Sequence, residues 1–152
     1  MSDERPALLP AAARFALVPV DDDGRLFISP CIQEWGPLEA ANIRVVVDLE
    51  GGLDHCVPTL PGHVLYVYLP IYDEDLPDLR RLHGVARLAA AQYREGESVL
   101  SHCGMGYNRS ALVAGLVLVE LGWSGAAALA RLRERRPGAL FNDAFAEYLA
   151  AL

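Results

Sequence analysis

Cys103, followed after five residues by Arg109 and then Ser110, forms the stretch of this chain whose residue types and spacing suit covalent chemistry. The reactive form of cysteine is the thiolate, and a sulfur at the end of a strand facing a helix N-terminus gains from the unpaired N–H groups and dipole there. The same N–H groups suit a phosphate dianion. A semicircular loop of Gly104, Met105, Gly106, Tyr107 and Asn108 brings Arg109 round. Its guanidinium can then fork two N–H donors onto phosphate oxygens, a geometry that lysine lacks. These groups suit displacement at phosphorus: Cys103 attacks and forms a cysteinyl-phosphate, while the loop amides and Arg109 hold the equatorial oxygens. Ser110 is expected to hydrogen-bond the sulfur as it leaves, His102 to support the loop and the thiolate, and Asn108 to brace the loop. The leaving oxygen needs a proton, which calls for a carboxylic acid on a neighbouring loop.

The surrounding pattern supplies the elements that position such a loop. Ser98 to His102 reads as a strand, and Arg109 to Leu121 as a helix that is apolar nearly all round and therefore central, ended by Gly122. Upstream, Phe15 to Val20 and Arg25 to Ser29 flank the turn composition Asp21-Asp22-Asp23-Gly24 and read as a hairpin; the acidic triplet is read as a solvated turn rather than a cation site. Ile32 to Asn42 has weak helical character interrupted by Gly36-Pro37. Ile43 to Leu49 is a β-branched run expected to be buried on both faces, and Val64 to Leu69 is a further strand feeding Pro70-Ile71-Tyr72-Asp73-Glu74-Asp75. Leu79, Leu82, Ala86, Ala89 and Tyr93 recur at spacings of three and four and mark one helical face between Pro77 and Arg94. Ser124 caps a helix running to Arg136, Pro137-Gly138 breaks it, and Asn142 to Leu152 makes the last. Strands alternating with helices predict an α/β fold, a single domain with a central, mainly parallel sheet of four to five strands flanked by helices. Ligands in such folds bind outside the carboxyl ends of the strands. That is where the Cys103 loop and the Asp73 loop both fall if their strands are parallel neighbours.

At 152 residues the chain suits one domain, taken as residues 15–152 after a loose lead-in of residues 1–14 that carries no period. A content of 53% hydrophobic residues excludes global disorder. The net charge of −7, with arginine as the only basic side chain apart from histidine, argues against a nucleic-acid partner or an anionic membrane surface. The start Met1-Ser2-Asp3-Glu4 is acidic where a secretory leader is basic, and Cys31, Cys56 and Cys103 are unpaired in spacing, so the expected compartment is the cytoplasm. The apolar run Ala111 to Val119 is far short of the ~20 residues a bilayer requires.

The run His102-Cys103, five residues, Arg109-Ser110 resembles the signature of the cysteine-dependent protein phosphatases, in particular the small dual-specificity branch with its atypical and bacterial members. Finding His, Cys, Gly106, Arg and a hydroxyl at these offsets by chance has an expectation on the order of 10⁻⁵ over such a sequence. The resemblance covers most of residues 25 to 152 and includes the tail Arg133, Arg136, Pro137, Gly138, Asn142 and Phe145. It implies a phosphoprotein phosphatase acting on phosphotyrosine, with phosphoserine and phosphothreonine as the extension, without a cofactor. It also implies a general acid about thirty residues before the cysteine, which selects Asp73 within Pro70-Ile71-Tyr72-Asp73, with Asp75 as the competitor and Asp78 third. The Gly104-Met105 pair departs from many relatives, which carry larger or charged residues there.

Several residues have blander readings. Arg131, Arg133, Arg135 and Arg136 make the dense basic cluster, ordinarily a solvated helix face; Arg136 is the candidate for steering anionic substrate. The pairs His55-Cys56 and His102-Cys103 lack metal-ligand spacing, so no metal is expected. Cys56 is more simply an ordinary loop thiol than a disulfide partner for an oxidised Cys103. Alternative functions are hydrolysis of a phosphoinositide, inositol phosphate or RNA 5′-phosphate, disfavoured because residues 104–108 hold no basic side chain, and a silent phospho-ligand binder, which would have no need of Cys103.

Overall fold

Five short runs pair into one sheet, and Leu26–Ser29, Ile43–Asp48 and Ser98–His102 are its buried centre. The computed structural model describes residues 15–152; the lead-in expected at 1–14 lies outside the described residues. β1 (Val18–Pro19) pairs antiparallel with β2 (Leu26–Ser29), and β2, β5 (Ser98–His102), β3 (Ile43–Asp48) and β4 (Leu65–Tyr68) follow in parallel in that spatial order. The expected α/β sheet is present, with one change in detail. The strands before the Cys103 loop and the Asp73 loop are not neighbours, since β3 lies between them, yet both loops still leave the same end.

The helices are α1 (Gly36–Ala40), α2 (Leu79–Arg94), α3 (Arg109–Glu120), α4 (Gly125–Arg135) and α5 (Asp143–Ala150). Asp78, Ser124 and Asn142 cap α2, α4 and α5 by accepting N–H groups of Arg81, Ala127 and Phe145. Gly36-Pro37 does not interrupt a longer helix; it starts α1, because proline fits the first turn, where its missing N–H would have had no partner.

Alternation along the strands divides the core. Val45, Val47 and Val99 face a large cluster with Leu112, Leu116, Leu132, Phe145 and Leu149, while Val46 and Leu100 face a smaller one with Ile32, Trp35 and Leu38. Each fully buried Leu or Phe contributes about 1.5–3 kcal/mol, so α3, buried from Ser110 to Leu118, is the helix the others are built around. β3 is buried as expected except at Arg44, beside a register shift between Ile43 and Val45. In the acidic turn Asp22 and Asp23 are exposed as read, but Asp21 departs from the solvated reading: it is buried and accepts the N–H groups of Arg25 and Leu26 and the hydroxyl of Tyr93.

Candidate active site

β5 ends at His102 and α3 begins at Arg109, so residues 103–108 must turn between a buried strand and a buried helix. Gly106 makes the turn at φ +74, and a Cβ there would sit 2.8 Å from the backbone of Ser29 and Pro30. Only glycine fits both the conformation and the gap. The loop is further held to the end of β2 by Cys103 N–H donating to Ser29 O and Cys31 N–H donating to Gly104 O, both at 3.4 Å.

Cys103 is 2% exposed. Its Sγ accepts the Gly106 N–H at 3.3 Å and lies 3.3 Å from Ser110 Oγ, the hydroxyl expected beside the sulfur. Arg109 is fixed from two sides: Nη2 donates to Glu50 Oε2 at 2.8 Å and Nη1 to Ile71 O at 3.2 Å. Its Nε is buried without a hydrogen-bond partner among the described residues. Gly104 leaves room for this pair, since a Cβ there would lie 2.5 Å from Glu50 Oε2 and 3.3 Å from Arg109 Nη2. The small residue after the cysteine is thus tied to the acidic partner of Arg109.

Asn108 occupies the N-cap position of α3 without capping it. Its Nδ2 instead donates to Asp73 Oδ2 at 2.8 Å, and Asn142 Nδ2 donates to Asp73 Oδ1 at 2.9 Å. Asp73 is therefore brought against the Cys103 loop. Asp75 lines a pocket with Leu69, Pro70, Leu76, Pro77 and Arg81, and Asp78 is spent on capping α2.

His102 lies beneath the loop in a buried cluster. Its Nε2 is 2.6 Å from Asp54 Oδ2 and 3.5 Å from Asp48 Oδ1, and the Tyr66 hydroxyl reaches both carboxylates. Burial pushes the Asp48 carboxyl above its ordinary range, against the opposing pull of the Tyr66 hydroxyl, the Glu50 N–H and His102. Burial, helped by Glu50, Asp54, Asp48 and Cys103, also pushes up the Cys31 thiol. Asp48, Asp54 and His102 set three ligand-type atoms within 4.8 Å of one another, and those atoms already bond to each other or to Tyr66.

Around the mouth, Met105 is 70%, Tyr72 81% and Phe141 65% exposed. Arg136 packs over the Tyr107 ring at 4.2 Å and donates to Met105 O at 3.2 Å. Two more members of the basic cluster are committed elsewhere, Arg131 to Asp22 at 2.8 Å and Arg133 to the carbonyls of Ala139 and Leu140, while Arg135 is exposed. Cys56 is an exposed loop residue. Glu50, Asp48, Asp54, Tyr66 and the amide of Asn142 are the contributors that the sequence reading did not assign. The one available signal was an ionisable residue, Asp48, closing a run of valines.

No protein-family model and no curated protein matches this chain. Solved structures do. The crystal structure of human DUSP28 superposes with a TM-score of 0.75 at 26% identity, covering 89% of this chain and 90% of that one. Tk-PTP in its active form gives a TM-score of 0.68 at 28% identity over 88% and 92% of the two chains. A mouse putative dual specificity phosphatase complexed with zinc tungstate gives 0.71 at 26% identity over 91% and 87%.

Proposed function

We propose that this chain, which is a cysteine-dependent phosphatase of the dual-specificity type, removes phosphate from phosphotyrosine in proteins, and from phosphoserine and phosphothreonine as the extension of that activity. The observation that carries the reading is the sulfur of Cys103 held between the Gly106 N–H and the Ser110 hydroxyl while Arg109, next to Ser110 in the chain, keeps a buried Nε–H without a partner among the described residues. A buried donor without an acceptor costs about 1–3 kcal/mol, and a phosphate oxygen supplies the acceptor. Tungstate, a tetrahedral oxyanion like phosphate, is bound in one relative of this fold.

In this reading the Cys103 thiolate attacks phosphorus, the S–P bond forms, and the bond to the leaving oxygen breaks as Asp73 gives it a proton. The amides of residues 104–109 and the Arg109 guanidinium hold the equatorial oxygens. Water then attacks the cysteinyl-phosphate and passes a proton to the Asp73 carboxylate. The S–P bond breaks, and the Ser110 hydroxyl donates to the returning thiolate. Glu50 orients Arg109, and His102 supports the loop from below. The amide bonds to Asp73 occupy one lone pair on each oxygen and leave the other for this proton.

The exposed rim of Met105, Tyr72 and Phe141, with Arg136 already committed to Tyr107 and Met105, supports a peptide-borne monoester over a polyanion. The test is a panel of phosphopeptides, phosphoinositides and 5′-triphosphate RNA at equal concentration. Phosphotyrosine peptides are expected to turn over fastest; RNA or phosphoinositide turnover far above every phosphopeptide would overturn the assignment. The described residues hold no helix long and apolar enough to cross a membrane.

A further inference from the structure

We infer that Asn142, at the start of the last helix, is a positioning residue that aims Asp73 at the leaving group, an inference that rests on the phosphatase reading and on Asp73 as its acid. The argument starts from which way two amide side chains must point. Asn142 Oδ1 accepts the Phe145 N–H at 3.3 Å as the cap of α5, so its Nδ2 is turned outward, where it donates to Asp73 Oδ1 and to Glu74 O, both at 2.9 Å. Asn108 Oδ1 accepts the Asn142 N–H at 3.0 Å, so its Nδ2 is turned to Asp73 Oδ2 at 2.8 Å. In each amide the oxygen is claimed by a backbone N–H, and the orientation of the donor follows.

The result is a closed set of bonds joining three segments far apart in sequence: the loop after β4, the last residue of the phosphate loop and the cap of α5. Asp73 belongs to a loop without regular structure, and its neighbours Tyr72, Glu74 and Asp75 are exposed. Nothing in that loop's own backbone fixes the carboxylate. The two amides do, one from each side, and Asn142 adds a bond to the next carbonyl that holds the backbone as well as the side chain. Two donors restrict the rotation of a carboxylate where one would leave it free to swing. An acid that must reach an oxygen within ~3 Å loses rate steeply when misplaced by ~1 Å.

The variant that separates positioning from folding is Asn142→Ser, since serine caps a helix as well as asparagine but has no amide to give Asp73. Its turnover of an alkyl or phenyl phosphate is expected to fall about tenfold or more, while turnover of an activated aryl ester, whose leaving group needs no proton, falls less than about twofold. In an Asp73→Asn background the same change is expected to add nothing further, because the group it positions is gone. A phosphatase activity on the activated ester that disappears in Cys103→Ser confirms the underlying reading in the same assay. If that activity is present and Asn142→Ser slows both esters equally, slows neither, or adds its full effect to Asp73→Asn, the positioning role is wrong while the phosphatase reading stands. If the wild-type chain hydrolyses neither ester, the phosphatase reading falls and the inference with it.

Discussion

Each end of the sheet carries a buried aspartate that takes a tyrosine hydroxyl, and the two are put to different use. At the amino end Asp21 accepts Tyr93 at 2.6 Å together with the N–H groups of Arg25 and Leu26, while Arg25 stacks on the Tyr93 ring at 4.0 Å and donates to Tyr93 O and Glu97 O. Every bond there returns to the scaffold. At the carboxyl end Asp48 accepts Tyr66, and the chain of contacts runs on through Asp54 to His102, the residue before the nucleophile. It stops at His102 Nδ1, which is buried without a partner among the described residues, as is Nε of Arg109 in its separate contact with Glu50 and Ile71. The closed network at the amino end holds the fold, while at the carboxyl end Arg109 keeps an N–H open to an acceptor. Substitutions at the carboxyl end are therefore expected to cost activity, and those at the amino end stability.

The largest expected effect is that of Cys103→Ser, with turnover lost by on the order of 10⁴-fold or more because the alkoxide-forming hydroxyl is a poor nucleophile, while vanadate affinity is kept by the amide loop. Steady-state rates with vanadate inhibition check it, and near-wild-type turnover would remove the covalent step. Arg109→Lys follows at about 10³-fold, since a point charge can neither fork a phosphate nor hold Glu50 and Ile71 O together. A loss under about threefold in kcat/KM would contradict the assigned role.

Asp73→Asn comes next, at about 10²-fold on poor leaving groups and little on activated esters. The comparison partner is Asp75→Asn, which is expected to stay near wild type because it is Asp73, and not Asp75, that bonds to Asn108 of the phosphate loop. Should Asp75→Asn alone show the leaving-group dependence, the acid would be Asp75. Measuring both variants against a series of aryl phosphates of graded leaving ability decides between them.

How much of this was legible follows from where the bonds run. The phosphate loop could be read because strand, loop and helix are contiguous and Gly106 and Arg109 have local geometric reasons. Asp73 was selected by its distance from Cys103, but what holds it was not visible: Asn108 is 35 positions away and Asn142 is 69. Asn142 could be read as a helix cap, and its oxygen does that work; its amide nitrogen answers to a loop that the helix pattern does not mention. Glu50 and Asp54 lie in the glycine-containing loop after β3, and only folding sets them against Arg109 and His102. Asp21 was misread for a related reason, because the aromatic that desolvates it comes from α2.

The smallest effect tests the amino end. Burial and the Asp21 carboxylate push the Tyr93 phenol above its ordinary range, so the folded chain holds that proton more tightly than the unfolded chain does. Below the ordinary tyrosine value of about 10 both states keep the proton and stability does not vary with pH on its account. As pH rises beyond about 10 the unfolded state releases the proton and gains free energy while the folded state cannot follow, so stability falls. Tyr93→Phe removes both the bond to Asp21 and the slope. At neutral pH the variant is expected to lose about 1 kcal/mol of stability; above pH 10 the gap to wild type narrows, and turnover is unchanged throughout. Urea unfolding at pH 7, 9 and 10.5 measures the gap, and an activity loss in this variant with no change in its stability would break the division between the two ends.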